Sequence, residues 1–449
     1  MKIKLILPAL QEAKSPFWRP IKYSLFPPLG LATLASYCLE SDEISLVDEH
    51  VESIDLDDRP DLVCIQTYIT NAWRAYEIAD AYRKKGIYVA LGGLHATTLP
   101  QEALEHADTV LLGLGEHAFA RFRQDLSART PRRIYEAGPV SLDLAPLPRR
   151  DLFKREKYLV PNSMVISRGC PNRCNFCYVS SFYPQGQSFL NYQLDHILRE
   201  IDSMPGKHLY FLDDNLFGNP TLCRELFREM RGMGRLFQGA VTVGSVLDGD
   251  LIELAREAGF RSAFIGFESI NQKSLLNANK QSNLIRSYSA VIQRLDRLGI
   301  MINGSFIFGF DEDNSAIFRD LPQWAIEQGI TTATYHILTP YPGTQLFADM
   351  AEQGRIVSRN WQEYDTRHLV FQHPNLSRTQ MEEGYRQAYQ TFYQWRNIRA
   401  ASGQHEALRM RLKHLAYAGC WKKFEPVWNF LIKTELLGQA RKALEFTLK

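Results

Sequence analysis

Residues 167–178 read SRGCPNRCNFCY and follow directly on a short apolar run. The stretch places Cys170, Cys174 and Cys177 in a C-x-x-x-C-x-x-C spacing, within a loop shaped by glycine and proline. A structural zinc normally takes four protein ligands, and no fourth Cys or His lies nearby in the sequence. Three thiolates instead suit a 4Fe–4S cluster in which one iron stays open to a small molecule. The spacing therefore predicts an iron–sulfur centre.

Around this loop, short apolar runs alternate with segments of helical periodicity. The runs recur about every 25 to 45 residues, which is typical of successive βα units. Six such units predict an open, partial (β/α)6 barrel whose site lies at the carboxyl ends of its strands. The predicted barrel strands are Met164–Ser167, His208–Leu212, Ala240–Val243, Ala263–Phe267, Gly304–Gly309 and Ala333–Leu338.

The residues before about position 125 show a similar alternation. Strands rich in branched residues, separated by helices at 31–39 and 72–85, predict a parallel sheet covered on both faces. Glycine-bearing loops follow two of the strands, at the edge where such sheets bind ligands, although glycines there also serve tight strand-to-helix turns. The predicted strands are Ile3–Leu10, Ile44–Asp48, Leu62–Thr67, Val89–Gly93 and Thr109–Leu112.

The chain thus divides into two α/β units and a helical end. We expect the first domain at residues 1–136 and a linker at 137–160, where proline and charge replace apolar periodicity. The barrel is expected at 161–370, and a helical region rich in aromatic residues at 371–449. The predicted fold class is α/β: a parallel sheet domain, a partial barrel and a helical C-terminal region.

Composition narrows the class of protein further. The chain has 449 residues and a net charge of +2, too balanced for a protein that wraps nucleic acid. No window of about 18 apolar residues exists, and the N-terminal apolar run is too short for a signal peptide, so we expect a cytoplasmic protein. The seven cysteines do not form a disulfide framework. Outside the triplet, we expect small buried apolar side chains at Cys38, Cys64, Cys223 and Cys420.

The cysteine triplet, followed by an aromatic residue on the first strand-to-loop passage of a βα barrel, resembles the radical S-adenosylmethionine superfamily. In that superfamily S-adenosylmethionine binds the open iron, and an electron from the reduced cluster releases a 5′-deoxyadenosyl radical that removes a hydrogen atom from substrate. The resemblance implies that Asp213 holds the methionine amino group where many members have Gly-Gly-Glu, with a cap on the next helix as the alternative. It also implies that Glu268, in a Gly-x-Glu-Ser segment, contacts S-adenosylmethionine, again with a cap as the alternative. Ser305 on the fifth strand is a further cofactor candidate.

A flavodoxin-like sheet before such a barrel resembles the cobalamin-binding subfamily, over residues 1 to about 370. The loops after two strands of the sheet, GGLH at 92–95 and GLGE at 113–116, look like that subfamily's loops. The resemblance therefore implies cobalamin contacts, and they are Gly92, Gly93, His95, Gly113, Gly115 and Glu116.

Other cobalamin methyltransferases carry D-x-H-x-x-G after the first strand, where the His ligates cobalt. The corresponding loop here, Leu10–Lys14, contains no His. Residues 48–53 imitate the motif, but they follow the second strand and end in Ser, which indicates a coincidence. The resemblance thus implies a cobalamin held without a histidine below the cobalt, and it leaves His95 as a loop contact or a structural residue.

The implied function is a radical enzyme that uses a 4Fe–4S cluster, S-adenosylmethionine and cobalamin to methylate an unactivated carbon of a small-molecule or lipid-like metabolite. The alternative keeps the cofactors but closes or contracts a ring, or rearranges carbon, without net methyl transfer. A non-catalytic cobalamin-binding protein is a third interpretation. A methylthiotransferase is disfavoured because no extra N-terminal cysteine triad is present. The class implies a low-potential electron donor of flavodoxin or ferredoxin type.

Two features remain without an assigned role at this stage. The segment Trp421–Lys433 mixes aromatic residues with lysines. We expect it to rest on a membrane surface, to cover an apolar substrate such as a terpenoid or tetrapyrrole, or to pack on the barrel with its lysines outward. Tyr335 and His336 lie on the sixth predicted strand and are candidates to face the site by position alone. No catalytic acid or base can be assigned from the sequence.

Overall fold

The computed structural model describes residues 1–10, 25–138, 140–183, 189–280, 282–419, 431 and 437–448. Three of the sequence interpretations fall on other residues. Cys420, residues 11–14 of the loop after the first strand, and the segment Trp421–Lys433 apart from Leu431 lie outside the described residues.

The first unit is a six-stranded parallel sheet in the order β2-β1-β3-β4-β5-β6. Apolar side chains cover both of its faces, with Ile6 and Val89 in one buried cluster and Leu5 and Leu111 in the other. This confirms the flavodoxin-like sheet, and the strand order reverses direction between β1 and β3, where such sheets open a binding crevice. The strands are β1 (Lys2–Leu7), β2 (Glu43–Asp48), β3 (Leu62–Gln66), β4 (Tyr88–Gly92), β5 (Thr109–Leu112) and β6 (Ile134–Glu136). The last of them was not predicted, because its three residues are too few to show a pattern.

The second unit is another six-stranded parallel sheet, whose order follows the chain from β7 to β14 with β8 and β9 set apart. The described strands at its two ends do not pair with each other, so the barrel is open, as predicted. The strands are β7 (Ser163–Met164), β8 (Ser167–Gly169), β9 (Phe189–Asn191), β10 (His208–Phe211), β11 (Leu236–Val241), β12 (Phe260–Glu268), β13 (Met301–Phe308) and β14 (Thr332–Ile337). β8 and β9 form a separate antiparallel pair.

Two predicted barrel strands differ from the structure. The single strand Met164–Ser167 is divided into β7 and β8, because the backbone N–H groups of Ile166 and Ser167 donate to the Asp213 carboxylate and not to a neighbouring strand. The strand Ala240–Val243 instead begins at Leu236 and ends at Val241. Thr242 stops it by capping a short helix that starts at Val243, through a hydrogen bond from the Ser245 N–H.

Helices cover both sheets and form the C-terminal region. Those of the first unit are α1 (Leu29–Ala35), α2 (Ala72–Arg83), α3 (Leu94–Thr98), α4 (Pro100–His106) and α5 (Gly115–Ser127). Those of the barrel are α6 (Val179–Phe182), α7 (Leu194–Ser203), α8 (Pro220–Met230), α9 (Val243–Val246), α10 (Leu251–Ala258), α11 (Gln272–Asn277), α12 (Tyr288–Arg297), α13 (Ile317–Glu327) and α14 (Gln345–Glu352). The C-terminal helices are α15 (Arg378–Phe392), α16 (Trp395–Gly403), α17 (Leu408–Ala418) and α18 (Leu437–Leu448). Within the described part of the chain, no helix is long and apolar enough to cross a membrane.

The cysteines outside the triplet follow the prediction in part. Cys64 and Cys223 are buried, which confirms their assignment as small core side chains. Cys38 is only partly buried, since it packs at the margin of the cluster that contains Leu5.

Two tyrosine hydroxyls bind the outer edge of strand β14, those of Tyr389 in α15 and of Tyr393 directly after this helix. The Tyr393 hydroxyl accepts from the Ala333 N–H at 3.1 Å and donates to the Ala333 carbonyl at 2.9 Å. One helical turn earlier, the Tyr389 hydroxyl makes the same pair of bonds to the backbone of Tyr335. An edge strand otherwise presents a row of unpaired backbone groups, so these hydroxyls replace a neighbouring strand.

We expect Tyr393→Phe to destabilise the protein by about 1–3 kcal/mol, because it leaves the buried N–H and C=O of Ala333 without partners. Urea unfolding against the wild type measures the change. Tyr335→Phe is the matched control: its hydroxyl is buried without a hydrogen-bond partner, so removing it should leave the unfolding midpoint unchanged or higher. Equal midpoints for Tyr393→Phe and the wild type would contradict the edge-closing role.

Candidate functional site

A cavity of about 720 Å³ lies where the carboxyl ends of the two sheets meet. From the first unit it is lined by residues just after β1, β3 and β4, among them Leu10, Tyr68 and Leu94. From the barrel it is lined by β8 and by residues after β10, among them Gly169 and Asp214. Parallel sheets bind ligands at this end of their strands, so one cavity serves both units.

The cysteine loop begins at this cavity, at the end of β8. Gly169 has a φ of 90°, a left-handed conformation that glycine adopts without strain, and it turns the chain into the loop. Cys174 is buried, and Cys170 and Cys177 are partly buried. The Cys177 N–H donates to the Cys174 carbonyl at 3.2 Å, and the Asn172 side chain approaches the Cys170 sulfur at 3.6 Å. The loop is thus folded on itself around its thiols.

The donor set of the loop fits an iron–sulfur cluster. It offers three cysteine sulfurs within eight residues, and cysteine thiolates are the usual ligands of a 4Fe–4S cluster. Burial raises the pKa of all three thiols, to about 12 at Cys177, and a bound cation would stabilise their thiolate forms. The role of the three cysteines as cluster ligands remains a prediction.

Asp213 also lines the cavity, and both of its carboxylate oxygens accept hydrogen bonds. They accept from the N–H groups of Ile166 and Ser167 and, at 2.5 Å, from the Ser167 hydroxyl. Burial raises the pKa of Asp213 to about 7, and these donors act in the opposite direction. It does not cap the following helix α8, whose cap is Asn219. Its predicted contact with the methionine amino group would share oxygens already used to hold the backbone.

The next residue, Asp214, also lines the cavity and was not singled out from the sequence. Its carboxylate accepts a hydrogen bond from the Tyr178 hydroxyl at 3.0 Å, which ties the residue after the last cysteine to the end of β10. Burial raises the pKa of Asp214. The sequence shows two adjacent aspartates, Asp213 and Asp214. Only the structure shows that both line the cavity and that, among the hydrogen bonds of the described residues, the Asp214 carboxylate has the single partner Tyr178.

Glu268 ends β12 in a strained conformation. Its φ is 65°, in the left-handed region that a non-glycine residue rarely occupies, and the pairing of β12 with β13 shifts register beside it. The carboxylate is buried, folds over Gly266 and forms an ion pair with Lys280 at 2.8 Å. It is not a helix cap, because Asn271 caps α11. Backbone strain of this kind is typical of functional sites.

The remaining candidates, Ser305 on β13 and Tyr335 and His336 on β14, lie in three different surroundings. Ser305 is buried on β13 directly beside Gly266, so it lies next to Glu268 without lining the shared cavity. His336 contacts the hydroxyl of Thr366, a cavity residue, at 3.1 Å. Tyr335 points the other way, into the aromatic packing under α15.

The predicted cobalamin loops surround a second, narrow cavity of about 110 Å³ that adjoins the first. Its lining includes Gly92, Gly93, Gly113, Gly115 and Glu116, together with Arg168 of β8. A side chain at these glycines would occupy the slot or strain the backbone: at Gly93 (φ 101°) a Cβ would lie 2.8 Å from the Thr67 carbonyl. A slot kept open by glycines fits the insertion of a flat or extended cofactor group.

His95 is the one predicted cobalamin contact that the structure does not bring to either cavity. It is buried, and its Nε2 lies 2.9 Å from Glu102, which also accepts from the indole N–H of Trp361. No histidine is among the described residues that line the two cavities. The His50 ring, in the segment that imitates the cobalt-binding motif, instead bonds to Asp48 at 2.8 Å and accepts from the Leu10 N–H.

Arg168 connects the two units and was missed as a candidate, although it lies inside the cysteine motif. Its guanidinium forms an ion pair with Glu116 at 3.1 Å and donates to the Tyr192 hydroxyl. Both charged side chains are largely buried. The pair could not be inferred from the sequence, because its members belong to different domains.

Comparison with known proteins agrees with this geometry. The family model of the Radical SAM superfamily matches residues 164–325, and that of the B12 binding domain matches residues 23–123. Bacteriochlorophyllide d C-12(1)-methyltransferase of Chlorobaculum tepidum is 30% identical over 373 residues, 80% of each chain. Hopanoid C-2 methylase of Rhodopseudomonas palustris is 25% identical over 352 residues, 74% of this chain and 66% of the methylase.

A solved structure shares the whole fold. The radical S-adenosylmethionine methyltransferase TsrM of Kitasatospora setae superposes with a TM-score of 0.68 at 14% identity, covering 98% of this chain and 99% of TsrM. Fold, site and family models together define a radical enzyme with a second cofactor domain. The chain belongs to the family of cobalamin-binding radical S-adenosylmethionine enzymes. Its cofactors are a 4Fe–4S cluster, S-adenosylmethionine and cobalamin.

Replacing any one of Cys170, Cys174 or Cys177 by Ala should abolish stable iron binding, because a cluster with two protein thiolates loses a third of its protein ligands. Iron and sulfide per chain after anaerobic reconstitution and desalting measure the effect. Cys223→Ala is the control, since that thiol is buried and donates to the Leu216 carbonyl. Full iron retention in a triplet variant would contradict the assignment.

Gly115→Val should weaken cobalamin binding about tenfold, roughly 1.4 kcal/mol, because the isopropyl group fills the narrow slot. Gly115 has an ordinary φ, so the variant adds volume without left-handed strain. Equilibrium dialysis against hydroxocobalamin measures the dissociation constant, with iron content as a check on the barrel. Gly403→Ala, which meets open space, is the control. Unchanged affinity would move the cobalamin site away from this slot.

Proposed function

We propose that the enzyme transfers a methyl group to an unactivated carbon of a small-molecule or lipid-like metabolite. The shared cavity carries this proposal, because it is lined both by the predicted cobalamin loop, at Gly93 and Leu94, and by the start of the cysteine loop, at Gly169. A substrate between the two units would therefore meet both cofactors. When bound, these cofactors supply the methyl group and the radical chemistry that an inert C–H bond requires.

In this proposal the residues of the chain bind, orient and exclude water. The three cysteines hold the cluster, while Glu268 and Asp214 offer carboxylates for the amino group and hydroxyls of S-adenosylmethionine. Apolar and aromatic side chains form much of the cavity wall and keep water from reactive species. They are Leu7, Leu10, Phe26, Leu29, Ile69, Leu94, Val165, Phe182, Leu212 and Tyr341.

The same lining supports an apolar ring system as the substrate class. Two relatives are named for the methylation of a bacteriochlorophyllide and a hopanoid, both large polycyclic molecules. At the other wall of the cavity, Asp365 and Arg367 form an ion pair at 3.2 Å and offer polar contacts to one end of a substrate. We therefore propose a tetrapyrrole or terpenoid with a polar group at its margin.

We further propose a low-potential flavodoxin or ferredoxin as electron donor and the cytoplasm as the location. The cofactor class supports the electron donor, because a 4Fe–4S cluster of this kind has to be reduced before it reacts. The need to keep Cys170, Cys174 and Cys177 reduced supports the cytoplasm, where thiols stay reduced.

The reconstituted enzyme should add one CD₃ group to a substrate from a panel of tetrapyrroles and terpenoids when it is supplied with methyl-deuterated S-adenosylmethionine and a reductant. Mass spectrometry of the products detects the label, and 5′-deoxyadenosine in the same sample reports radical formation. The Cys174→Ala variant is the control and should yield neither. A ring-closed or rearranged product without label would establish the alternative function. If one compound stimulates the formation of 5′-deoxyadenosine but yields no methylated product, the result would contradict methyl transfer to that compound.

A further inference from the structure

Lys280 is a buried cation next to the cysteine loop to which the function assigns no role. Its side chain is 13% exposed and its ammonium lies 2.8 Å from the Glu268 carboxylate. A Cβ at residue 266 would lie 3.3 Å from the same nitrogen and 2.2 Å from the Glu268 oxygen, so glycine at this position leaves room for the pair. The pair is thus built into the end of β12.

The turn that carries Lys280 is fastened to the cysteine loop. The Asn175 N–H donates to the Ala278 carbonyl at 3.2 Å, and the Asn279 side chain donates to the Arg173 carbonyl at 2.7 Å. A third bond runs from the Asn175 side chain to the Asn277 carbonyl at 3.0 Å. These bonds keep the Lys280 turn and the thiols in one rigid assembly.

The hydrogen bonds of this turn end on Arg173 and Asn175, the two residues that flank Cys174, so they place Lys280 beside the cysteine loop. Two carboxylates oppose its positive charge. They are Glu268, which pairs with it, and Asp214, which accepts a hydrogen bond from Tyr178, the residue after Cys177. Burial disfavours the charge of Lys280, but the paired Glu268 carboxylate raises its pKa, so the side chain stays an ammonium.

We propose that Lys280 sets the reduction potential of the iron–sulfur cluster and positions Glu268 beside it. Net charge near a cluster is one of the factors that fix its potential. Reduction adds one electron, taken from a low-potential one-electron donor, and Lys280 keeps its proton throughout, so no bond forms or breaks. An adjacent positive charge favours the reduced form. The proposal rests on the assignment of the three cysteines as cluster ligands.

The first test compares the midpoint potentials of the wild type, Lys280→Met and Lys280→Arg by EPR-monitored redox titration without S-adenosylmethionine. We expect Lys280→Met to lower the ratio of reduced to oxidised cluster about tenfold at a fixed potential, ~59 mV for one electron. Lys280→Arg, which keeps the charge, should stay close to the wild type. Lys273→Met is the control, because that side chain is on the adjacent helix α11 but 74% exposed. Equal potentials for Lys280→Met and the wild type would overturn the proposal.

A second variant separates charge from loosened packing. Glu268→Gln removes the opposing negative charge and should raise the reduction potential, whereas Lys280→Met should lower it. Increased access of water to the cluster would instead shift the potentials of both variants in the same direction. Shifts of the same sign in Lys280→Met and Glu268→Gln would therefore also refute the charge effect. If Lys280→Met fails to retain iron, the shift of Glu268→Gln relative to the wild type still gives the sign of the charge effect, with Lys280→Arg as the unshifted reference. Absence of iron in the wild type would defeat the proposed cluster itself, which distinguishes that failure from a failure of the tuning role.

Discussion

The buried carboxylate of Asp213 holds the beginning of the cysteine loop to the end of β10, and the rest of the site depends on that attachment. It accepts from two consecutive backbone N–H groups, that of Ile166 between β7 and β8 and that of Ser167, the first residue of β8. Burying a carboxylate is unfavourable unless its oxygens are satisfied. The raised pKa of Asp213 reflects that burial, and the three donors offset it. The chain is thereby turned out of the sheet just before the first cysteine.

From that point, contacts between separate segments fix the loop in space. Arg168 pairs with Glu116 of the first domain, while the turn before Lys280 accepts and donates hydrogen bonds along the loop. A buried ion pair is costly to break because it leaves one charge without a partner. The two domains and the far side of the barrel therefore converge on the twelve residues that begin at Ser167. Their cofactors can then share one cavity, which a flexible linkage would not guarantee.

Much of this was predictable, for reasons that are local. Alternating apolar runs and helical periods are visible in the sequence, so both sheets and their parallel character followed, and the cysteine spacing pointed to the cluster. The breaks in pattern were not visible: nothing around Met164–Ser167 reveals that a carboxylate at position 213 takes the N–H groups of a neighbouring strand. Long-range ion pairs such as Arg168 with Glu116 likewise leave no pattern in the sequence from which they could be predicted. His95 also depends on distant residues, because its ring bonds to Glu102, which in turn accepts from Trp361 much later in the chain, and its predicted cobalamin contact stays a prediction.

Glu268 shows how strain and chemistry are linked in this fold. A left-handed non-glycine residue is unfavourable by about 1–3 kcal/mol, and a glycine there would relieve the backbone. Instead, the Asn283 side chain and the Tyr288 hydroxyl bind the preceding carbonyls and hold the bend. Asn271 caps α11, so the Glu268 carboxylate is not needed there and pairs with Lys280 instead. The bend thus turns a carboxylate toward a buried lysine whose turn is hydrogen-bonded to the cysteine loop, and the predicted contact of Glu268 with S-adenosylmethionine would use that position.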